Sequence, residues 1–268
     1  MRLAMLAALV GIIGLAEPAS ALDKVRFGTN WLADPEAGGF YQALADGTYE
    51  KFGLDVTIIP GGPQTNGALM LLFGKLEFFM GGDMIGNLLS AEARLPLVAV
   101  AANFQKSPQI LMSHPDVGLD KWEDLPKAKS AYVGAGAIQT FYAWLRLAYG
   151  FKDENIRPYN FNSAPFMMNK SAIQQGYLTA EPFEVERQGH FKPNVFLLSD
   201  YGYDTYSTLI VPAETSSKTI RIWCSASSTR RRSAGTTIST ATIPKQMRSS
   251  SRTIRTSKTI RSRFRSRN

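Results

Sequence analysis

The chain has 268 residues, 44% of them hydrophobic, which is enough to bury a core in one large or two small domains. Its formal net charge of +8 would indicate a nucleic-acid or anionic-membrane partner if the charge were spread along the chain. However, residues 213–268 contain 14 Lys/Arg and one acid, Glu214, whereas the rest carries 16 basic and 21 acidic residues. We therefore expect an acidic body with a net charge of −5 and no nucleic-acid partner.

The N-terminus has the pattern of a secretory signal peptide. Met1-Arg2 is followed by an apolar run from Leu3 to Leu15, then by Pro18 and the small residues Ala19-Ser20-Ala21. A membrane span needs roughly 20 apolar residues, and this run is shorter. We expect residues 1–21 to be removed by cleavage after Ala21, so that the exported chain begins at Leu22.

Cysteine and histidine are too few to build a metal centre. Cys224 is the only cysteine in the sequence, so no internal disulfide and no cysteine cluster can form. His114 and His190 are far apart, and neither has a histidine or acidic partner at helical spacing. We expect both histidines at the surface or in turns, and no metal or other cofactor.

Strand and helix patterns alternate from Lys24 onwards, which is typical of a parallel sheet with helices on its faces. In the first half the predicted strands are 25–28, 54–59, 76–80 and 97–102, and the predicted helices are 39–52, 66–73 and 84–92. In the second half the predicted strands or extended segments are 109–113, 130–134, 160–161, 177–180, 195–198 and 205–211, and the predicted helical segments are 122–125, 139–149, 171–176 and 184–189.

This order of elements predicts an α/β protein with two lobes. We expect lobe one over 22–105, lobe two over 106–204, and a strand over 205–212 that returns through the hinge to lobe one. Ligands of open α/β sheets bind beyond the carboxyl ends of the strands, so the cleft between the lobes is the expected site.

Several short passages resemble one family of transport proteins. They are Phe27-Gly28-Thr29-Asn30-Trp31, Gly39-Phe40-Tyr41-Gln42-Ala43, Tyr49 to Val56, Pro60-Gly61-Gly62-Pro63, Gly81-Gly82-Asp83-Met84, Gln174 to Phe183 and Asp200 to Tyr206. They are similar to the periplasmic substrate-binding proteins of nitrate, sulfonate and taurine ABC importers, and more narrowly to the branch for thiamine-pyrimidine precursors.

The resemblance implies a type II periplasmic-binding-protein fold that closes like a hinge on its ligand. It also implies a monomer in the periplasm that hands a small solute, such as a pyrimidine-like heterocycle, a sulfonate, taurine or nitrate, to an ABC importer permease.

Candidate ligand contacts in lobe one lie in the loops that follow its strands. Trp31 could stack on a flat ring or close the lobe, and Asn30 offers a donor and acceptors beside it. Gly61, Gly62 and Gly82 lie in turns where exposed backbone N–H groups could face an anion, or where glycine serves the turn alone. Asp83 could cap the next helix or accept from ligand amines, and capping is the favoured role.

Lobe two offers a second set of candidates. Gly136, Gln139 and Thr140 lie where a strand leads into a helix, and the segment lacks the third glycine of a dinucleotide fingerprint. The remaining candidates are side chains that could face the cleft or belong to a core: Glu181, Phe183, Tyr201 and Tyr206.

Catalysis has little support in the sequence. It has no Gly-x-Ser-x-Gly elbow and no histidine next to a nucleophile, so we expect a binding protein without catalytic residues. The alternative is a thiamine-pyrimidine synthase-like enzyme of the same fold, but the histidine and the cysteine-rich motif that such enzymes use are not visible.

The tail over 213–268 has 23 Ser/Thr among its residues and a strong basic bias, so we expect it to be disordered. A nucleic-acid arm is one alternative. A second is translation out of frame, since one choice of codons for Glu214 to Ala226, read from the third base, yields an amphipathic run like the family's C-terminal helices. In that case the C-terminal part of lobe one is missing or replaced.

Overall fold

The computed structural model describes residues 21–62, 65–213 and 217–233. The signal-peptide prediction for residues 1–20 and most of the predicted tail lie outside these ranges. The strands are β1 (Asp23–Gly28), β2 (Leu54–Ile59), β3 (Phe78–Met80), β4 (Ala101–Phe104), β5 (Gln109–Ser113), β6 (Ser130–Val133), β7 (Ile156–Pro158), β8 (Ala172–Tyr177), β9 (Asn194–Leu197) and β10 (Ser207–Pro212). The helices are α1 (Gly38–Ala45), α2 (Thr48–Lys51), α3 (Gly67–Leu72), α4 (Met84–Glu92), α5 (Phe141–Tyr149), α6 (Ala164–Met167), α7 (Glu181–Gly189) and α8 (Ser217–Ser233).

The strands form one sheet in each lobe. The sheet of lobe one has the order β2-β1-β3-β10-β4, with β1 parallel to β2 and β3, and β10 antiparallel to β3 and β4. The sheet of lobe two has the order β7-β6-β8-β5-β9. The chain leaves the first sheet after β4 and returns to it as β10, and Ser207 lies opposite Phe104. Both crossings between the lobes therefore run side by side, as a hinge requires.

Local signals explain the elements that flank the cleft. In β1 the buried Val25 and Phe27 alternate with exposed residues, as expected of a strand that packs on one face. Asn66 and Asp83 cap α3 and α4 by accepting from the amides of Leu69 and Gly86. The favoured capping role of Asp83 is therefore confirmed.

Several predicted elements differ from the structure, and the extended segment predicted at 177–180 is the last residue of β8 followed by a turn. The predicted helix 39–52 is two helices, because Gly47 has a φ of 68° and breaks it between α1 and α2. The predicted fourth strand, 97–102, begins later, at Ala101. The extended segment predicted at 160–161 follows β7 instead, and Phe161 has a left-handed φ of 60°.

The largest error is the helix predicted over 171–176, which is strand β8. This strand pairs with β5 and β6, and its first five residues are buried. Its polar side chains are satisfied by distant partners: Gln174 Nε2 donates to Ser163 Oγ at 3.0 Å, and Gln175 Oε1 accepts from the Gly134 amide at 2.7 Å. Tertiary contacts thus override the local pattern.

The prediction that the tail cannot fold is wrong for α8. The ring of Trp223 is fully buried in lobe one, stacked on Phe78 at a centroid distance of 4.5 Å and in contact with Phe27 and Phe40. Ala226 and Ser227 are buried beside it. Ile220, Ile222 and Cys224 pack against the same core, so the few apolar residues of this helix lie against lobe one.

The expectation for the histidines holds for one of them. His190 is exposed at the C-terminal end of α7. His114, in contrast, is buried in lobe two, stacked on Phe191, with Nε2 at 2.9 Å from the carbonyl oxygen of Phe166. A hydrogen bond and two aromatic neighbours allow a histidine to be buried there.

Candidate functional site

The cleft between the lobes holds a cavity of about 420 Å³. Its walls come from both lobes, at the carboxyl ends of β1, β6, β7 and β8 and at the starts of α4 and α7. This is where ligands of open α/β sheets bind, and the volume suits a small molecule.

Eight of the thirteen residues predicted as ligand contacts line this cavity. They are Asn30, Trp31, Gly62, Gly82, Asp83, Gly136, Thr140 and Glu181. They include residues from both lobes, so the structure brings the two predicted sets together across the cleft.

The other five predicted contacts do not line the cavity. Phe183 is 71% exposed on α7, and Tyr206 is 45% exposed at the hinge. Tyr201 stacks on Trp122 in the core of lobe two, with ring centroids 3.9 Å apart. Gln139 follows the turn that carries Gly136 without reaching the cavity wall.

Gly61 shapes the cavity wall from behind. Its amide donates to Trp31 O at 3.0 Å and to Thr29 Oγ1 at 3.1 Å, so it ties the loop after β2 to the loop that carries Trp31. A Cβ at this position would lie 2.5 Å from Thr29 O and from the carbonyl carbon of Asn30. Only glycine permits this approach.

Aromatic rings from both lobes meet at one end of the cavity. Trp31 of lobe one packs edge-on against Phe161 of lobe two, and its ring centroid lies 6.0 Å from that of Tyr159. The same rings line the cavity. They provide an apolar face for a solute and join the lobes.

Glu181 is the most buried acid of the cavity wall, at 6% exposure. Its Oε2 accepts from the Tyr177 amide at 2.6 Å, and its Oε1 accepts from Tyr159 Oη at 3.1 Å. Burial raises the pKa of Glu181, although these hydrogen bonds to the carboxylate oppose the shift. Gly176 leaves room for the Glu181 side chain, since a Cβ at residue 176 would lie 2.9 Å from Glu181 Cβ.

Glu36 faces Glu181 from the opposite lobe and was not predicted from the sequence. Its Oε2 lies 3.5 Å from the hydroxyl of Thr179 in lobe two, and its carbonyl oxygen accepts from Asn103 Nδ2 at 3.0 Å. Burial raises the pKa of Glu36 to about 7, and the nearby carboxylates of Asp34 and Glu181 add to the shift. Asp34 also lines the cavity with a raised pKa, caused mainly by burial.

Two buried amides, Gln109 and Gln175, were also missed, and both line the cavity at 8% exposure. Gln175 uses Oε1 to accept from Gly134. Gln109 uses Nε2 to donate to the carbonyl oxygens of Gly176 and Ile110. Gln175 was missed because residues 171–176 were predicted as a helix. In a strand, neighbouring side chains such as those of Gln174 and Gln175 point to opposite faces of the sheet, so one of the two can face the cleft.

No group of three His, Cys, Asp or Glu residues is placed to hold a metal ion in the part of the chain that the structure describes. Over the same part, no helix is long and apolar enough to cross a membrane. Neither histidine is among the residues that line the cavity.

A family model described as NMT1/THI5 like matches residues 34–221, about two thirds of the chain. The chain belongs to the NMT1/THI5-like family. The match spans both lobes and includes most of the cleft residues. No curated protein matches the sequence.

Solved structures show that this NMT1/THI5-like protein has the type II periplasmic-binding-protein fold. An ancestral arginine-binding protein bound to arginine is 17% identical, with a TM-score of 0.56 over 81% of this chain and 95% of its own. The periplasmic aliphatic sulphonate binding protein SsuA of Escherichia coli is 18% identical, with a TM-score of 0.56 over 80% and 75% of the two chains. The glutamate-bound GluR0 ligand-binding core of Nostoc punctiforme is 14% identical, with a TM-score of 0.56 over 79% and 94%. At these identities the likeness shows the fold, and the fold predicted from the sequence is confirmed.

Proposed function

We propose that this NMT1/THI5-like protein is the solute-binding component of an ABC importer, which captures one small solute between its lobes and delivers it to a permease. The observation that carries this proposal is the cavity of about 420 Å³, walled from both lobes by aromatic and polar side chains. Closure of such a cleft buries most of a small ligand and brings both lobes into one arrangement that a permease can recognise.

The proposal includes export and action as a monomer in the periplasm. The N-terminal pattern predicts cleavage after Ala21. Leu22 is exposed, and β1 begins at Asp23, whose amide donates to Gly53 O. Cleavage at the predicted site would therefore leave the first sheet intact.

We assign solute contact to the predicted residues that line the cavity, with Trp31 as the main apolar contact. A thermal-shift screen of the full chain against pyrimidines, sulfonates, taurine and nitrate tests the proposal, followed by calorimetry on each hit. Trp31→Ala should weaken the hit at least about tenfold, because a stacked ring contributes on the order of 1 kcal/mol beyond its buried area. Phe183→Ala, which removes an exposed ring outside the cavity, is the matched control.

The proposal fails if no solute stabilises the protein, or if Phe183→Ala weakens binding as much as Trp31→Ala. The alternative activity, a thiamine-pyrimidine synthase-like reaction, would consume a histidine of the protein. Mass spectrometry would detect it as a pyrimidine product together with a modified histidine. Since His114 is enclosed in the core of lobe two and His190 is on its surface, we expect neither product nor modification.

A further inference from the structure

The charges around the cavity all have one sign. Asp34, Glu36 and Asp83 line it from lobe one, and Glu181 lines it from lobe two. Among the described residues of the wall there is no lysine, arginine or histidine. A bound anion would therefore meet negative charge on both sides, without a basic side chain to offset it.

Four helices begin at the cleft: α3 and α5 have no acid at their start, whereas α4 and α7 each begin at one. A helix N-terminus attracts anions through its free N–H groups and its dipole. At α4, however, the carboxylate of Asp83 already accepts from Gly86 N at 2.9 Å and also from the hydroxyl of Tyr203. At α7, the first turn begins with Glu181. Each of these two helix starts thus carries an acid of its own.

Glu36 and Glu181 oppose each other from different lobes without a basic partner. From lobe two, the hydroxyl of Thr179 lies 3.5 Å from Glu36 Oε2, and the carboxylate of Glu181 and the phenol of Tyr177 interact with Glu36 through their charge. Burial raises the pKa of both acids, so the cleft disfavours their negative charge. A cation between them would remove this cost and draw the lobes together.

Two unused amide ends give an independent sign of a ligand. Gln109 Nε2 donates to two backbone carbonyl oxygens, which leaves Oε1 as an acceptor at the cavity wall. Gln175 Oε1 accepts from the Gly134 amide, which leaves Nε2 as a donor. Both side chains are more than nine-tenths buried. Neither end is sealed from solvent, so each is placed at the cavity wall to pair with a polar group of a solute.

We propose that the cleft selects a small organic cation, a solute with a protonated amine that Glu36 of lobe one and Glu181 of lobe two hold between them. Trp31 and Phe161 then cover the apolar part of the solute or face the cation through their rings. The free ends of Gln109 and Gln175 pair with its remaining polar groups. This inference rests on the proposed function and narrows its solute class, and it ranks the sulfonates and nitrate below amines.

The test is a screen of matched triads in which one skeleton carries an aminomethyl, a hydroxymethyl or a carboxylate group. Benzylamine, benzyl alcohol and benzoate form one triad, and butylamine, butanol and butyrate form another. Pyrimidines, sulfonates, taurine and nitrate complete the panel. Calorimetry on the full chain at pH 8 should rank the amine first in each triad that binds.

Three variants locate the selectivity. Glu36→Gln and Glu181→Gln keep the side-chain shape and remove one charge, so each should weaken the amine about ten- to a hundredfold, the usual size of a charged hydrogen bond. Binding of the alcohol should change less than about threefold. Glu186→Gln, on the exposed face of the same helix as Glu181, is the matched control and should change neither.

The outcomes separate the inference from the function beneath it. If a carboxylate, sulfonate or neutral compound binds at least as tightly as its matched amine, the inference is wrong and the solute-binding function stands. If both glutamine variants keep wild-type affinity for the amine, the inference is also wrong. If no compound of any class binds, the proposed function fails. Should Glu181→Gln prevent folding, Glu36→Gln decides the matter, because the Glu36 carboxylate bonds its own backbone and makes a long contact of 3.5 Å to the hydroxyl of Thr179.

Discussion

Lobe two takes its core from one continuous stretch of chain, whereas lobe one takes its core from two distant parts. In lobe two, Trp122, Tyr142 and Leu198 belong to a cluster drawn entirely from residues between β4 and β10. In lobe one, Phe27 and Phe40 near the start of the chain pack on Trp223 of α8. Lobe one is therefore complete only when the segment after the hinge returns to it, and this segment is the one with the basic, Ser/Thr-rich composition.

The largest expected effect comes from Trp223→Ala. Removal of a fully buried tryptophan costs about 3–5 kcal/mol, and the loss should fall on lobe one. Chemical denaturation measures the cost, and hydrogen exchange shows where it falls: β1 and β3 should lose protection while β5 and β8 keep it. Trp223→Phe, which retains most of the ring packing, should cost less. Unchanged protection of β1 in Trp223→Ala would show that α8 does not complete this core.

The reciprocal change is Trp122→Ala in lobe two. Trp122 is 6% exposed and stacks on Tyr201, with a second edge-on contact to Tyr149. We expect a loss of about 3 kcal/mol, confined to lobe two. Hydrogen exchange should therefore show the opposite pattern to Trp223→Ala. Equal loss of protection in both lobes would mean that the two cores unfold as one unit and are not stabilised separately.

Several strands of both lobes could be predicted from the sequence, because they are apolar runs bounded by glycine or polar turns. The predicted strands 54–59 and 109–113 match β2 and β5 to the residue. Strand β8 and helix α8 could not be predicted, since their stability comes from partners far along the chain: Ser163 and Gly134 for β8, and Phe27, Phe40 and Phe78 for α8.

The residues that line the cavity also divide into those that local sequence patterns predict and those that they do not. Trp31, Asp83 and Glu181 follow a strand or begin a helix, where local patterns indicate a cleft. Glu36 lies in a short 3₁₀ turn, and it reaches the cavity only because the two lobes face each other. Its role depends on Thr179 and Glu181 of lobe two, and no pattern within lobe one indicates them.

The origin of the tail remains a separate prediction. The family match ends at Arg221, inside α8, where the composition has already changed. Sequencing the gene tests whether a second open reading frame continues the family's C-terminal helices from this point. If the gene has no such frame, the frameshift hypothesis is wrong. Helix α8, with its present sequence, is then the native segment that completes lobe one.

A smaller effect is expected from Gly61→Ala, which tests how lobe one positions the loop that carries Trp31. Gly61→Ala places a methyl group 2.5 Å from the backbone of the loop that carries Trp31, so the loop must move. We expect a stability loss of about 1–3 kcal/mol and a weaker affinity for the solute. Gly74→Ala, at a left-handed turn remote from the cavity, is a control that strains the backbone without touching the loop. Solute affinity that falls equally in both variants would contradict a positioning role for Gly61.

The smallest effect is the pH dependence that Glu36 contributes. Its carboxylate faces Asp34 in its own lobe and Glu181, Tyr177 and the hydroxyl of Thr179 in the other. Because the fold raises the pKa of Glu36 from 4.5 to about 7, the protonated group stabilises the solute-free protein fully below pH 4.5. This contribution is lost as the pH rises from about 4.5 to 7, so the Tm should fall over that range and level off above it.

Affinity for an amine should change in the opposite direction. Binding needs the ionised carboxylate, so affinity should fall roughly tenfold per pH unit below about pH 7 and level off above it. Calorimetry from pH 5.5 to 8.5 measures this slope, and Glu36→Gln should flatten it. A slope that is identical in Glu36→Gln would assign the proton to another group.

If one solute is held between the two lobes, as proposed, hydrogen exchange with and without the best-binding compound should show it. We expect added protection in both lobes at once, in the loop after β1 that carries Trp31 and Glu36 and in the segments 134–141, 159–161 and 175–181. Protection confined to one lobe, or centred away from these segments, would contradict it.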